Sequence, residues 1–381
     1  MSRPEATQKT FYNVQALRAV AALMVVAHHA IICWRDLLVG DANVPLPWEN
    51  GAAGVDIFFV ISGFVMAVSL PGGAGGTERA RSFLRRRLVR IVPLYWCFTT
   101  LKLLHLWWST PPGERVGGGW WHVVASYLFI PSMDGYGLSY PLLPVGWTLT
   151  FEMLFYGLFA VALALEVVPL AFLAPTLGLA ALAGWSGVVP WPVFLVQDAP
   201  LVLEFLFGVI LGQGALRGRL PGGVWAVALL AGGFAAISVV PVPHAWRTFA
   251  WGLPAAAVVA GALALEGKTG RRLPRWLLEA GNASYAIYLV HLPVLAVLWP
   301  IMRRLGRTGD SALVEVTVYA LGLSLLAGEA VHRWIELPLL RWTRITRALP
   351  GVNTLPLPPD APSPSVSAPG HGGQSASTTG G

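Results

Sequence analysis

The chain has 381 residues, of which 55% are hydrophobic and only 12% charged, with 17 Trp and a net charge of +7. Soluble domains average about 25% charged residues, so the composition excludes a soluble globular protein and reads as an all-α, polytopic integral membrane protein. The positive surplus sits in loops between apolar segments, where topology and anionic lipid headgroups account for it, and no nucleic-acid partner is expected.

Apolar stretches of roughly 18 to 23 residues, each able to cross about 30 Å of hydrocarbon as a helix, recur along the chain. They lie near 13–34, 53–70, 88–108, 145–165, 167–189, 199–216, 222–240, 246–266, 281–302 and 312–335, about ten transmembrane helices in all. The segment 120–131 is open as a re-entrant or interfacial piece. Basic residues at Arg3 and Lys9, in the loop at 79–90, at Arg217, Arg219, Lys268, Arg271, Arg272 and Arg275, and at Arg341, Arg344 and Arg347 all fall on one side when the spans alternate. By the positive-inside rule that side is cytoplasmic and holds both termini, with Arg303, Arg304 and Arg307 as the exceptions. No cleavable signal is evident, so the first apolar segment is expected to remain as a span. Residues 11–348 form the membrane domain; 349–381, rich in Pro, Gly, Ser and Thr, read as a disordered cytoplasmic tail.

The first span carries Arg18, His28 and His29 in an otherwise apolar run. Ionisable groups at membrane depth are costly and mark functional sites. Eleven residues separate Arg18 from His29, three helical turns plus about 20°, so they share a face about 16 Å apart along the axis. His28 falls elsewhere, which makes His29 the expected partner of Arg18 in a common cavity. The second span opens with Asp56, which either caps the helix or holds an arginine or histidine, and carries Ser62 between Gly54 and Gly63. Next come Arg85, Arg86, Arg87 and Arg90, a topology anchor on one reading. On another, Arg86 and Arg90 share a face where two guanidinium forks grip phosphates, as a nucleotide-bearing donor such as coenzyme A would require.

Further along, Glu152 stands among apolar and aromatic neighbours, with Tyr156 one turn away on the same face. Ser284, Tyr288 and His291 share a face by their spacings of four and three. Glu329, His332 and Glu336 line the last span, with Pro338 expected to stop the helix. Glu204 is another membrane carboxylate. Cys33 and Cys97 have no metal-like spacing, and no metal site is expected.

Taken in order, five strings resemble the acyltransferase 3 family of membrane acyltransferases, in particular its branch that modifies bacterial exopolysaccharides. They are NVQALRA at 13–19 with its His pair downstream, GVDIFFVISGF at 54–64, RRLVRIVPLYW at 86–96, GWTLTFE at 146–152 and SYAIYLVH at 284–291. The likeness runs from about 11 to 340. Gln15 and Ala16 replace the family's usual Asp-Gly, and Ala19 replaces a frequent Gly, departures that fit the exopolysaccharide branch.

The resemblance implies transfer of an acyl group, commonly acetyl, from acetyl-coenzyme A or another acyl-coenzyme A to a sugar hydroxyl of an exopolysaccharide or lipid-linked glycan. The coenzyme is a substrate, and no bound cofactor is expected. The expected location is the bacterial inner membrane, with polysaccharide biosynthesis proteins as potential partners. Many relatives carry an extracytoplasmic esterase-like domain; none is expected here, so transfer is completed alone or handed to a separate partner. Such chemistry needs a base, oxyanion donors and cations for phosphates. His29 is assigned as general base or transient acyl carrier, Glu152 as its orienting or charge-balancing group, and Arg18 as donor or oxyanion ligand. Arg86, Arg87 and Arg90 are assigned to the coenzyme A phosphates, with Asp56, Ser284, Tyr288 and His291 in support. A transporter or flippase of glycan or acyl groups, using the same buried charges as a path, is the rival reading.

Overall fold

The computed structural model describes residues 11–342 apart from 42, 71–74, 112–118, 135–136, 138, 187–198 and 241–245, and no strand occurs among them. The tail expected at 349–381 lies outside the described residues. The helices in chain order are α1 (Tyr12–Cys33), α2 (Gly54–Val68), α3 (Gly76–Ser109), α4 (Trp120–Tyr127), α5 (Trp147–Ala164), α6 (Pro169–Ser186) and α7 (Val202–Leu216). They continue with α8 (Val224–Val239), α9 (Leu253–Thr269), α10 (Arg275–Asn282), α11 (Ser284–Arg304), α12 (Ala312–Val331) and α13 (Leu337–Trp342).

The axis of the bundle is α1, which packs against α2, α9, α10, α11 and α12. Its alanines at 19, 21, 22 and 30 and its Val26 are fully buried. A helix apolar on all sides belongs in an interior, and small side chains let neighbouring backbones come close. Its first turn has no capping side chain of its own. Glu266, at the end of α9, supplies the missing acceptors: Oε1 takes the Tyr12 N–H at 2.7 Å and Oε2 the Asn13 N–H at 2.9 Å. A carboxylate there satisfies two orphan donors and complements the positive end of the helix dipole. This pins the depth of α1, and therefore of Arg18 and the two histidines, against α9.

Among the described residues seven helical stretches are long and apolar enough to cross a membrane: Tyr12–Val39, Asn50–Val68, Pro144–Ala164, Pro169–Ser186, Thr248–Thr269, Ser284–Arg304 and Ala312–Trp342. The expected spans at 88–108, 199–216 and 222–240 do not meet that test. α3 has 34 residues, about 50 Å at 1.5 Å per residue, but its first turns are crowded with arginine. α7 and α8 have only 15 and 16 residues, short of the roughly 20 needed for a full crossing. The segment at 120–131 contains the two-turn helix α4, which exposes Trp120 and Trp121 and buries His122, Ala125 and Ser126.

The last span departs from expectation at Pro338, which does not end the helix. A π turn at His332–Glu336 intervenes, and α13 continues through Pro338 to Trp342. Proline is tolerated in the first turn of a helical register because it has no N–H to contribute there, and the wider π turn starts a new register ahead of it.

α2 and α7 are in backbone contact through two glycines. A Cβ on Gly63 would strike the Phe205 carbonyl, and one on Gly208 the Val60 carbonyl. Gly208→Leu is expected to lower the thermal midpoint of the detergent-solubilised protein, with an overpacking cost of about 1–3 kcal/mol or more. Gly157 in α5 faces open space, and Gly157→Ala is expected to raise the midpoint through helix propensity, by up to about 1 kcal/mol.

Candidate active site

α1, α2, α3, α5 and α11 enclose a cavity of about 100 Å³. Arg18 enters it from α1, Arg87 and Arg90 from α3, Glu152 and Tyr156 from α5, and Ser284 and Tyr288 from α11. Three cationic side chains therefore share one cavity with a single carboxylate. Glu152 does not pair with any of them in the ion-pair network of the described residues. Instead Ser62 donates to its Oε1 at 2.7 Å and the Tyr156 hydroxyl to its Oε2 at 3.1 Å. Tyr156 stands one turn along α5, as the spacing predicts, whereas Ser62 reaches across from the facing α2, a contact the sequence reading did not include.

Arg18 is only 8% exposed. Its Nη1 donates to Gln15 Oε1 at 3.3 Å, which engages one of its five N–H donors. Arg87 lies over the rings of Phe83 and Tyr156 at 5.8 and 6.0 Å, a cation–π seat that holds a guanidinium without consuming its donors. Arg86 is not in the cavity wall: its Nη1 donates to Ser82 Oγ at 2.8 Å, one turn back on α3. The expected pair of Arg86 and Arg90 is replaced by Arg87 and Arg90, because an i, i+3 pair faces α5 here. Ser284 Oγ is buried with no hydrogen-bond partner.

His29 lies beyond this wall. The shared helix face with Arg18 is real, but at the depth of Arg18 the walls come from α3 and α5, whereas at the depth of His29 the neighbour is α11. Its Nδ1 lies 3.0 Å from the Val25 carbonyl and 3.3 Å from His291 Nε2, and the two imidazole rings are 4.9 Å apart. Glu152 is thus not a hydrogen-bond partner of His29. His28 meets the His29 ring edge-on at 5.3 Å. Between cavity and histidines stands Tyr288, whose hydroxyl donates to the Val145 carbonyl at 2.9 Å and bonds Thr148 Oγ1 at 2.9 Å.

Asp56 is fully buried and holds an arginine, one of the two expectations for it. Arg247 Nη2 and Nε reach its two oxygens at 2.8 and 3.2 Å, a bidentate pair. Arg247 also donates to the Ala52 carbonyl at 3.2 Å and lies 5.2 Å from the Trp251 ring centre. Sequence reading missed Arg247. Its signal was available: a lone arginine at the head of the apolar run 246–266, on the side that the positive-inside rule leaves poor in basic residues. In the last span, His332 Nδ1 lies 2.7 Å from Glu336 Oε2, both groups buried. Glu204 is fully buried and packs against Gly252.

Residues 11–328 match the acyltransferase 3 family, described as an acyltransferase domain. The chain is 37% identical over 317 residues to the exopolysaccharide production protein ExoZ of Rhizobium meliloti, covering 79% of this chain and 93% of that protein. It is 28% identical over 372 residues to the acyltransferase MdmB of Streptomyces mycarofaciens, covering 86% and 91%. A 27% identity over 305 residues links it to a membrane-bound transacylase, BcsY, of Komagataeibacter xylinus, covering 75% and 73%. No solved structure matches the chain.

The matched range contains every cavity residue and both ends of the Asp56–Arg247 pair. Removing one partner of a buried pair leaves an uncompensated charge, at a cost of roughly 3–5 kcal/mol. Arg247→Ala is therefore expected to lower the thermal midpoint more than the double variant Asp56→Asn/Arg247→Gln, in a detergent melt followed by tryptophan fluorescence. A double variant less stable than Arg247→Ala would contradict the pairing.

Proposed function

The chain belongs to the acyltransferase 3 family, and from that premise we propose that it moves an acyl group, acetyl in the first instance, from acyl-coenzyme A to a sugar hydroxyl of an exopolysaccharide or lipid-linked glycan. The chain is a membrane acyltransferase. Its proposed setting is the bacterial inner membrane, as a ten-helix bundle with both termini cytoplasmic. The observation that carries the donor assignment is the arginine excess: Arg18, Arg87 and Arg90 face one cavity with Glu152 as its single carboxylate. Among the described residues neither Arg18 nor Arg87 has a carboxylate within ion-pair distance, a cost for enclosed charge that a multiply anionic ligand relieves. Phosphates of a nucleotide thioester meet that requirement, and guanidinium forks suit them. Pockets that enclose a drug-sized ligand run to about 300–1,000 Å³, so a cavity of about 100 Å³ takes only part of such a donor. The glycan acceptor is supported by the name of the exopolysaccharide relative.

The chemistry needs few groups. As the acceptor oxygen attacks the thioester carbonyl carbon, its proton passes to His29. The carbonyl oxygen gains negative charge, which hydrogen-bond donors beside the reacting carbon stabilise, while Arg18, at the far end of the path, holds the donor. Collapse of the intermediate breaks the carbon–sulfur bond, and the departing thiolate takes the proton from His29. The product is an O-acyl sugar and free coenzyme A. Arg18 and His29 are about 16 Å apart on α1, a separation that suits a donor with a long thioester arm between its phosphates and its reacting carbon. Glu152, fixed by Ser62 and Tyr156, balances part of the cavity charge.

Two measurements test this reading. Surface glycans of cells lacking the protein are compared by mass spectrometry after complementation with wild type or His29→Ala at matched membrane levels. The acyl mass increment is expected to return with wild type only. Unchanged glycan masses with altered glycan export would instead support transport. In a coenzyme A release assay, Arg87→Ala and Arg90→Ala are each expected to raise the donor KM by about 10- to 100-fold, the worth of one hydrogen bond to a charged group. An unchanged KM would remove them from the donor site.

A further inference from the structure

His291 is fully buried, and its Nδ1 lies 2.7 Å from the backbone carbonyl of Tyr288. A carbonyl can only accept, so this nitrogen carries the hydrogen, and in the neutral ring Nε2 then presents a bare lone pair. That lone pair points at His29 Nδ1, 3.3 Å away. The Val25 carbonyl lies 3.0 Å from the same His29 nitrogen. Two acceptors from two different helices thus converge on His29 Nδ1, which must carry the hydrogen they share. The tautomer of each ring follows from what its nitrogens face, and one assignment satisfies all three contacts: both histidines hold hydrogen on Nδ1. The lone pair of His29 is left on Nε2, the nitrogen with no protein partner among these bonds.

From this geometry, and resting on the acyl-transfer reading above, we infer that His291 is a positioning residue that, together with the Val25 carbonyl, holds His29 as the Nδ1–H tautomer, sets its ring plane and presents His29 Nε2 as the base. The Val25 carbonyl belongs to the same helix and already accepts within it, so by itself it leaves the ring plane free to rotate. His291 adds a second acceptor from α11, which sets the plane. When His29 Nε2 takes the acceptor hydroxyl's proton, the resulting imidazolium keeps its Nδ1–H on the His291 lone pair, and the proton leaves again from Nε2 to the thiolate. His291 thus fills the place of the orienting third group behind a base, with a neutral imidazole where a carboxylate is the more familiar choice. A neutral orienter suits a site where a second buried carboxylate would carry its own desolvation cost.

The test compares His291→Phe, which keeps a ring but removes the acceptor, with His291→Gln, which returns an acceptor at the reach of Nε2. Coenzyme A release with a glycan acceptor is measured at matched membrane levels. His291→Phe is expected to lose about 10- to 100-fold in kcat with the donor KM unchanged, the worth of one hydrogen bond to a charged group. His291→Gln is expected to recover most of that loss. Equal activity of the two variants, whether both high or both low, would overturn the role. Nitrogen-15 NMR of histidine-labelled wild-type protein, with His29 assigned by difference from His29→Asn, needs no folded His291 variant. Hydrogen on Nδ1 of His29 is expected, and hydrogen on Nε2 would overturn the inference. Wild-type turnover separates the two failures: its absence removes the acyl-transfer reading and the inference with it, whereas turnover with equal Phe and Gln variants removes the His291 role alone.

Discussion

Three guanidinium groups share one cavity with a single carboxylate, and the rest of the site is arranged around that imbalance. Charges in a low-dielectric interior are stable only when paired and hydrogen-bonded. Glu152 is the natural counter-ion, yet two hydroxyls occupy it. Its orientation is set by Ser62 and Tyr156, and its charge acts on the arginines at a distance without claiming their donors. Arg87 is held instead by the faces of Phe83 and Tyr156. Tyr156 therefore serves both sides of the charge balance, with its hydroxyl on the carboxylate and its ring under the guanidinium.

Such a cavity needs a rigid frame, and α1 supplies it. Its alanines admit α2, α9, α10, α11 and α12 to close packing, and Glu266 locks its first turn. Because Arg18 and His29 are on one helix, their separation is fixed by helical rise alone. What changes along that helix is the neighbour. α3 and α5 bring charge beside Arg18, and α11 brings an imidazole beside His29. Tyr288 links the two levels, with a hydroxyl bonded to the start of α5 and a backbone carbonyl bonded to His291.

Much of this was legible in sequence because a polar residue in an apolar run is conspicuous. Arg18, Asp56, Glu152, Tyr156, Tyr288 and His291 were found that way, and the Tyr156–Glu152 bond follows from helical spacing alone. What escaped was contact between helices. Spacing shows that Arg86 and Arg90 share a face, and equally that Arg87 and Arg90 do, but only packing decides which face meets α5. The His29–His291 contact joins residues 262 apart in the chain, and no local pattern encodes it. Arg247 escaped because it stands at the boundary of a span, where a charge looks like an end signal. Pro338 misled because the stop rule assumes an unbroken α register, and a π turn resets it.

Arg247 also shows why burial of an arginine is not by itself evidence of a ligand site. It is 12% exposed, on its side-chain atoms, against a fully buried Asp56, and it is as deep in the protein as Arg18 is. Two oxygens of Asp56, a backbone carbonyl and the ring faces of Trp147 and Trp251 surround it. A guanidinium so enclosed has a structural task, joining the heads of two spans. Arg18 and Arg87 have the opposite character: they line open space, and among the described residues no carboxylate is within ion-pair distance of either. The same side chain closes an ion pair in one place and lines a cavity without one in the other. The difference lies in reach: Asp56 meets Arg247 directly, whereas Glu152, held by Ser62 and Tyr156, is outside ion-pair distance of Arg18 and Arg87.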